Sequence, residues 1–153
     1  MTKSIKFSNI EISNSKKLSV IAGLNVLEDD QQTFEVAEKL KSIIESQGNT
    51  FIFKASFDKA NRSSIESYRG PGLEKGLETF KELKKNGYQL VTDIHEINQV
   101  EKISEVVDVI QIPAFLCRQT DLVKEACQVG KPLNIKKGQF LSPDQMKNVI
   151  DKC

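Results

Sequence analysis

The chain has 153 residues, with 22 Lys and Arg against 21 Asp and Glu and a formal net charge of +1. That length buries one core of ordinary size, and the balanced charge argues against a nucleic-acid binder or a protein held to a membrane surface. No apolar run reaches the roughly 18 residues of a membrane-spanning helix, and the opening MTKSIKFSNIEISNSKK lacks the apolar stretch of a secretory signal. A cytoplasmic protein is expected. Cys117, Cys127 and Cys153 are odd in number and lack metal-type spacing, which reads as reduced thiols.

In chain order, Ile5–Phe7 and Ile10–Ile12 flank Ser-Asn as in a small hairpin. Leu18–Ala22 is a short apolar run of the kind a buried parallel strand shows. Gln31–Gln47 carries Phe34, Ala37, Leu40, Ile43 and Ile44 at helical spacing and stops at Gly48. Thr50–Lys54 is a second strand. Gly72–Asn86 is a helix with Leu73, Leu77, Phe80 and Leu83 on one face, followed by strand Tyr88–Thr92 and a short helix Ile97–Val107. Val109–Ile112 is a strand cut by Pro113, Gln119–Val129 a helix ended by Gly130, and Leu133–Lys136 the fifth strand. Ser142-Pro-Asp-Gln reads as a helix cap with proline at the first helical position.

This alternation predicts an α/β chain of five βα units in one domain, residues 1–153, with a parallel sheet. Periodicity leaves a barrel and an open doubly wound sheet both standing. Polar clusters follow every strand: Gly23–Glu28, Lys54–Arg69, Asp93–Glu96, Pro113–Arg118 and Lys136–Phe140. Ligands bind at that end of the strands in both architectures.

The segment Phe53–Gly72, FKASFDKANRSSIESYRGPG, is too polar for a core strand and too long for a hairpin turn. A connection of that length inside a domain is commonly functional. Phe53, Phe57, Ile65 and Tyr68 offer apolar anchors, and Lys54, Lys59, Arg62 and Arg69 a cationic floor suited to phosphate or carboxylate.

That segment, with GLNVLE (Gly23–Glu28), VTDIHE (Val91–Glu96), DVIQIPAFLCRQTD (Asp108–Asp121) and NIKKGQF (Asn134–Phe140), resembles the 3-deoxy-D-manno-octulosonate 8-phosphate synthases. These enzymes condense phosphoenolpyruvate with D-arabinose 5-phosphate for lipopolysaccharide biosynthesis. The resemblance runs nearly end to end from about Leu18. It implies a (β/α)8 TIM barrel and, in the complete enzyme, a cytoplasmic homotetramer. A complete barrel takes roughly 250 residues, with about 200 as the lower end. The chain is therefore expected to be the N-terminal part of such a synthase, its first and fifth strands left as edges.

The resemblance also implies roles. Lys54 and Lys59 meet the phosphoenolpyruvate carboxylate and its surroundings. Lys136 holds the phosphate, with Gln111 and backbone groups of Pro113 and Ala114 completing that pocket. Asn61, Arg62 and Ser63 bind arabinose 5-phosphate, and Arg118 reaches the same phosphate in a neighbouring subunit. Asp93 is the substrate-proximal carboxylate. One class of the family binds a divalent metal through a cysteine at the position of Asn25. The other carries asparagine there and needs none; GLNVLE looks like the second, so no metal and no cofactor are expected. A carboxamide is a poor metal ligand beside a thiolate.

Blander readings stand beside these. Lys54 and Lys136 also read as solvated strand-end lysines, Arg118 as a surface arginine, and Asp93 as a cap of the next helix. His95, the one histidine, reads better as a group that orders its neighbours than as an acid or base. The competing functions are a non-catalytic remnant and a related phosphoenolpyruvate-dependent synthase making a seven-carbon aromatic precursor or a sialic acid. KANRSS and AFLCRQTD argue against the latter.

Overall fold

The structure is a computed structural model and describes residues 4–153. It opens on an antiparallel hairpin, β1 (Ile5–Phe7) and β2 (Ile10–Ile12), in which Ile5 faces Ile12 and Phe7 faces Ile10. Five parallel strands follow in one sheet, in the order the chain makes them: β3 (Ser19–Gly23), β4 (Thr50–Lys54), β5 (Leu90–Asp93), β6 (Val109–Ile112) and β7 (Leu133–Ile135). Helices α1 (Asp30–Ser46), α2 (Leu73–Lys85), α3 (Val100–Ser104), α4 (Thr120–Gln128) and α5 (Met146–Ile150) alternate with them. This is a partial (β/α) barrel carrying an N-terminal hairpin, and among the described residues β3 and β7 each have a strand neighbour on one side only.

Alternation along each strand sorts the side chains. Phe51, Phe53, Leu90, Ile110 and Ile112 point outward and bury against Leu77, Phe80, Leu83, Ile103 and Val123 of the helices. Phe80 is fully buried there, and its truncation to alanine would cost about 3–5 kcal/mol. Ile52, Val91 and Val109 point inward, and Phe7, Ile10 and Ile12 of the hairpin cover them. The hairpin thus closes the floor of the sheet, the end away from the strand C-termini. Asp108 pins it: its buried carboxylate accepts from Ser8 Oγ at 3.0 Å, from the Leu90 backbone N–H at 2.9 Å, and from Lys84 Nζ.

Several boundaries move for identifiable reasons. β5 starts at Leu90 rather than Tyr88, because the Tyr88 N–H donates to Leu83 O (3.2 Å) and finishes α2. The helix expected over Ile97–Val107 splits into a 3₁₀ turn, Ile97–Gln99, and the short α3. Glu96 and Gln99 form a reciprocal capping box at its start. At the start expected at Ser142, Gln145 reaches back to accept the Ser142 N–H at 2.9 Å, one half of a capping box; four successive i to i+3 bonds follow from Ser142 O, so the first turn is of 3₁₀ type and α5 begins at Met146.

The cysteines also differ from expectation. Cys127, in α4, and Cys153, beyond α5, form a disulfide with their Cα atoms 5.3 Å apart, so two of the three thiols are not reduced. The pairing depends on a tertiary approach of two segments 26 residues apart. Cys117 is free and buried against Leu141 and Val149.

Candidate active site

The inward face turns polar at the strand C-termini. Lys54 ends β4, Asp93 ends β5, Gln111 lies in β6 and Asn134 in β7. Their neighbours Phe53, Ile110, Ile112, Leu133 and Ile135 pack outward, so alternation turns these four inward. Register aligns Asp93 with Gln111 and Gln111 with Asn134. Gly23, opposite Lys54 in β3, lets the strands close up: a Cβ there would sit 2.1 Å from Lys54 O. Leu24 N–H donates to that same carbonyl at 2.9 Å.

Asp93 is the hub. Its Oδ2 accepts from Ser56 Oγ at 2.8 Å and lies 3.6 Å from Lys59 Nζ; its Oδ1 accepts from Gln111 Nε2 and lies 3.5 Å from Lys54 Nζ. Lys54 Nζ donates to Ser56 Oγ at 2.6 Å, and Asn134 Nδ2 donates to Gln111 Oε1 at 2.9 Å. Asp93 is 5 % exposed and caps no helix, which sets aside the reading as an N-cap; Glu96 has that role.

Electrostatics follow from this packing. Burial pushes the Lys54 ammonium down to about 8 and the nearby Lys59 charge adds to the drop, against the pull of Asp93. Burial pushes the Asp93 carboxyl up, but Lys54, Ser56, Lys59 and Gln111 together hold it below its ordinary value. Burial also lowers His95, outweighing the attraction of Asp93 and Asp58. Its ring packs edge-on against Phe57 at 5.8 Å, and its buried Nδ1 has no hydrogen-bond partner among the described residues. The histidine therefore packs against its neighbours and orders none of them through Nδ1.

The long loop after β4 is ordered, by fewer anchors than the sequence suggests. Phe57 is buried, while Ile65 is 94 % exposed and anchors nothing. Tyr68 is half-exposed, and its hydroxyl donates to Leu27 O at 3.1 Å. Backbone bonds from Lys59 N–H to Arg69 O (2.6 Å) and from Gly72 N–H to Phe57 O (3.1 Å) close the loop's base. Gly70, at φ +123°, is required there, since a Cβ would meet Phe57 O at 2.3 Å. Arg69 is not part of a cationic floor: it grips Asp58 with two bonds, of 2.8 and 2.5 Å. Arg62 donates through Nε to Tyr68 O at 3.0 Å and stays exposed.

Two adjoining cavities open here. One, about 570 Å³, is lined by Lys59, Asn61, Arg62, Asp93, His95, Gln111, Pro113, Ala114 and Lys136, among others. The other, about 380 Å³, is lined by Asn25, Lys54, Gln111, Asn134 and Lys136 with the start of the loop after β3. Gln111 and Lys136 border both. Ser63 and Arg118 line neither; both are exposed. A larger cavity of about 680 Å³ lies at the floor, between the hairpin and the helix C-termini, away from this polar convergence. Ser56, Asn134 and Gln139 belong to the site without having been singled out in the sequence. Ser56 was findable, since it stands two residues beyond Lys54 and so on the same face. Among the described residues no three His, Cys, Asp or Glu side chains gather as a metal site, and no helix is long and apolar enough to cross a membrane.

Chemically, the site places two lysines against one carboxylate, with Arg62 and Lys136 lining the same cavities, beside a space large enough for a small phosphorylated molecule. Comparison with known proteins agrees in kind. The chain is 52 % identical over 151 residues to the 2-dehydro-3-deoxyphosphooctonate aldolase of Mannheimia haemolytica, covering 98 % of this chain and 53 % of that protein. It is 53 % identical over 151 residues to the protein of the same name from Bdellovibrio bacteriovorus (98 % and 52 %) and 50 % identical to that of Aliivibrio fischeri (98 % and 53 %). The chain spans about half the length of the curated relatives it matches. The DAHP synthetase I family signature extends over residues 2–153, and the chain belongs to that family.

Proposed function

We propose that this chain carries the phosphoenolpyruvate-binding part of a 3-deoxy-D-manno-octulosonate 8-phosphate synthase, an enzyme condensing phosphoenolpyruvate with D-arabinose 5-phosphate for lipopolysaccharide biosynthesis in the cytoplasm. The observation that carries the reading is the convergence of Lys54, Lys59 and Lys136 on cavities they share with Asp93 and Gln111. The relatives' name denotes the same eight-carbon sugar acid phosphate.

In this reading Lys54 and Lys59 meet the carboxylate of phosphoenolpyruvate. Lys136, the free N–H of Gln111 and the backbone of Pro113 and Ala114 hold its phosphate. Asn61, Arg62 and Ser63 take arabinose 5-phosphate, and Arg118, outside these cavities, reaches the sugar phosphate in a neighbouring subunit of a homotetramer. C3 of phosphoenolpyruvate attacks the sugar aldehyde, water adds at C2, and phosphate leaves by C–O cleavage. The protein's contribution is to align two anions and stabilise developing charge. Asp93 keeps Lys54 and Lys59 in place. Asn25 offers a carboxamide to water or hydroxyls where a metal-dependent relative has a thiolate.

The test is a division of labour. Lys136→Ala should weaken phosphoenolpyruvate binding about tenfold or more and spare arabinose 5-phosphate, with Arg62→Ala doing the reverse, since a charged hydrogen bond is worth about 1.5–3 kcal/mol. Titration calorimetry with each ligand measures both. Equal losses for both ligands would refute the assignment. Preference for a four-carbon aldose phosphate would instead make this the related seven-carbon synthase.

A further inference from the structure

We propose that Asn134 is a positioning residue: by donating to Gln111 it fixes the direction of that carboxamide, and through it the place of Asp93 between the two lysines. The inference rests on the functional reading above for its consequence, but its geometry stands without it.

Asn134, Gln111 and Asp93 form one row across β7, β6 and β5, paired in register. The hydrogen bonds run one way along the row, from Asn134 Nδ2 to Gln111 Oε1 and from Gln111 Nε2 to Asp93 Oδ1. Gln111 is 5 % exposed, so its protein partners weigh heavily in its orientation. A carboxamide has two faces of similar shape and opposite character, an oxygen that only accepts and a nitrogen that only donates. Turned over, Gln111 would set its oxygen against the Asp93 carboxylate and its NH2 against the NH2 of Asn134, two repulsive contacts in place of two bonds. Asp93, which only accepts, and the donor at Asn134 together favour the present orientation.

The orientation matters at the far end of the row. With its NH2 toward Asp93, Gln111 helps hold that carboxylate ionised between Lys54 and Lys59. The second N–H of the same group remains for a ligand in the cavities that Gln111 borders. Loss of the Asn134 donor removes one of the two bonds that hold the amide, and a loosened amide disturbs Asp93 although Asn134 does not touch it. The alternative is that Asn134 merely fills space on the inner face. Asparagine and aspartate have nearly the same shape, so a space-filling role tolerates Asn134→Asp and suffers from Asn134→Ala. An orienting role is lost in both, and Asp reverses it, because an ionised carboxylate only accepts.

The experiment is NMR on the unliganded chain, following the Gln111 side-chain amide and the Asp93 carboxyl titration, joined to phosphoenolpyruvate titrations of Asn134→Ala, Gln111→Ala and the double variant. Asn134→Asp and Asn134→Ala should both shift the Gln111 amide resonances and raise the Asp93 titration midpoint, with the larger change in Asp. Asn134→Ala should weaken phosphoenolpyruvate about tenfold, and in the Gln111→Ala background it should add less than about twofold, as coupled groups do. An unchanged Gln111 amide and Asp93 midpoint in Asn134→Asp, or fully additive losses in the double variant, overturn the proposal. If the unaltered chain fails to bind phosphoenolpyruvate, the functional reading falls, and the Asp93 titration still decides the role of Asn134.

Discussion

The Lys54 ammonium ties ligand affinity to pH in a calculable way. Its charged form attracts an anion, and in the empty site that form persists only to about pH 8. A bound phosphoenolpyruvate places new negative charge against it, which holds the proton to higher pH. The sign is then fixed: binding takes up a proton, so affinity falls as pH rises through 8. If Lys54 stays charged throughout in the complex, affinity scales with the charged fraction of the free site, about nine-tenths at pH 7 and one-tenth at pH 9. The drop is about tenfold, or about 1.4 kcal/mol. Ionisation of the ligand phosphate lies near pH 6, below this window. Calorimetry from pH 7 to 9 in buffers of different ionisation enthalpy measures both the affinity and the proton, of which about half should be taken up at pH 8. Lys54→Arg keeps its charge throughout, and its profile should be flat. A flat profile in the unaltered protein, or the same fall in Lys54→Arg, would refute the reasoning.

Other outcomes follow from the same structure. Asp108→Ala leaves Lys84 without its partner and the buried Leu90 N–H without an acceptor. It should destabilise by about 3 kcal/mol, the low end for a buried pair because Lys84 is partly exposed, read as a lower urea midpoint at unchanged m-value. Reduction of Cys127–Cys153, which closes a 26-residue separation, should cost about 3 kcal/mol and raise the thiol titre from one to three; a titre of three before reduction sinks the disulfide. Exhaustive chelation should leave turnover by the whole enzyme intact, given Asn25; loss of activity restored by divalent ions would place the enzyme in the other class.

The parts of the fold legible in the sequence are those set by local pattern. The strand Thr50–Lys54 and the apolar face of α2 are decided within a few residues, and the structure reproduces both. The polar clusters at the strand ends were legible for the same reason, because alternation alone turns Lys54, Asp93 and Gln111 to one side. What was not legible depends on partners far away in the chain. Ile65 looks like an anchor but faces solvent, because Gly70 and Phe57 already close the loop. Arg69 looks like ligand-binding charge, but Asp58 occupies its guanidinium. The start expected at Ser142 is displaced by one turn: Gln145 accepts the Ser142 N–H as in a capping box, but the bonds after Ser142 close i to i+3 and the α-helix begins at Met146. Asn134 gives no signal of its own, since its meaning lies in a neighbour 23 positions away.

The charge inventory of the site explains why these residues tolerate one another. Lys54, Lys59, Arg62 and Lys136 line the two cavities, and the one carboxylate lining them among the described residues is Asp93. Crowding like charges in a partly buried place is unfavourable; burial is the main cause of the lowered Lys54 ammonium, and the Lys59 charge adds to it. Asp93 offsets part of it by standing between Lys54 and Lys59, with Ser56 bridging the pair on one side. Three positive charges remain uncompensated, and fully ionised phosphoenolpyruvate carries about three negative ones on its carboxylate and phosphate. If the proposed ligand binds here, its charge matches the excess of cations lining the two cavities. That match requires Asp93 to stay ionised and fixed, which is where the row from Asn134 through Gln111 acts.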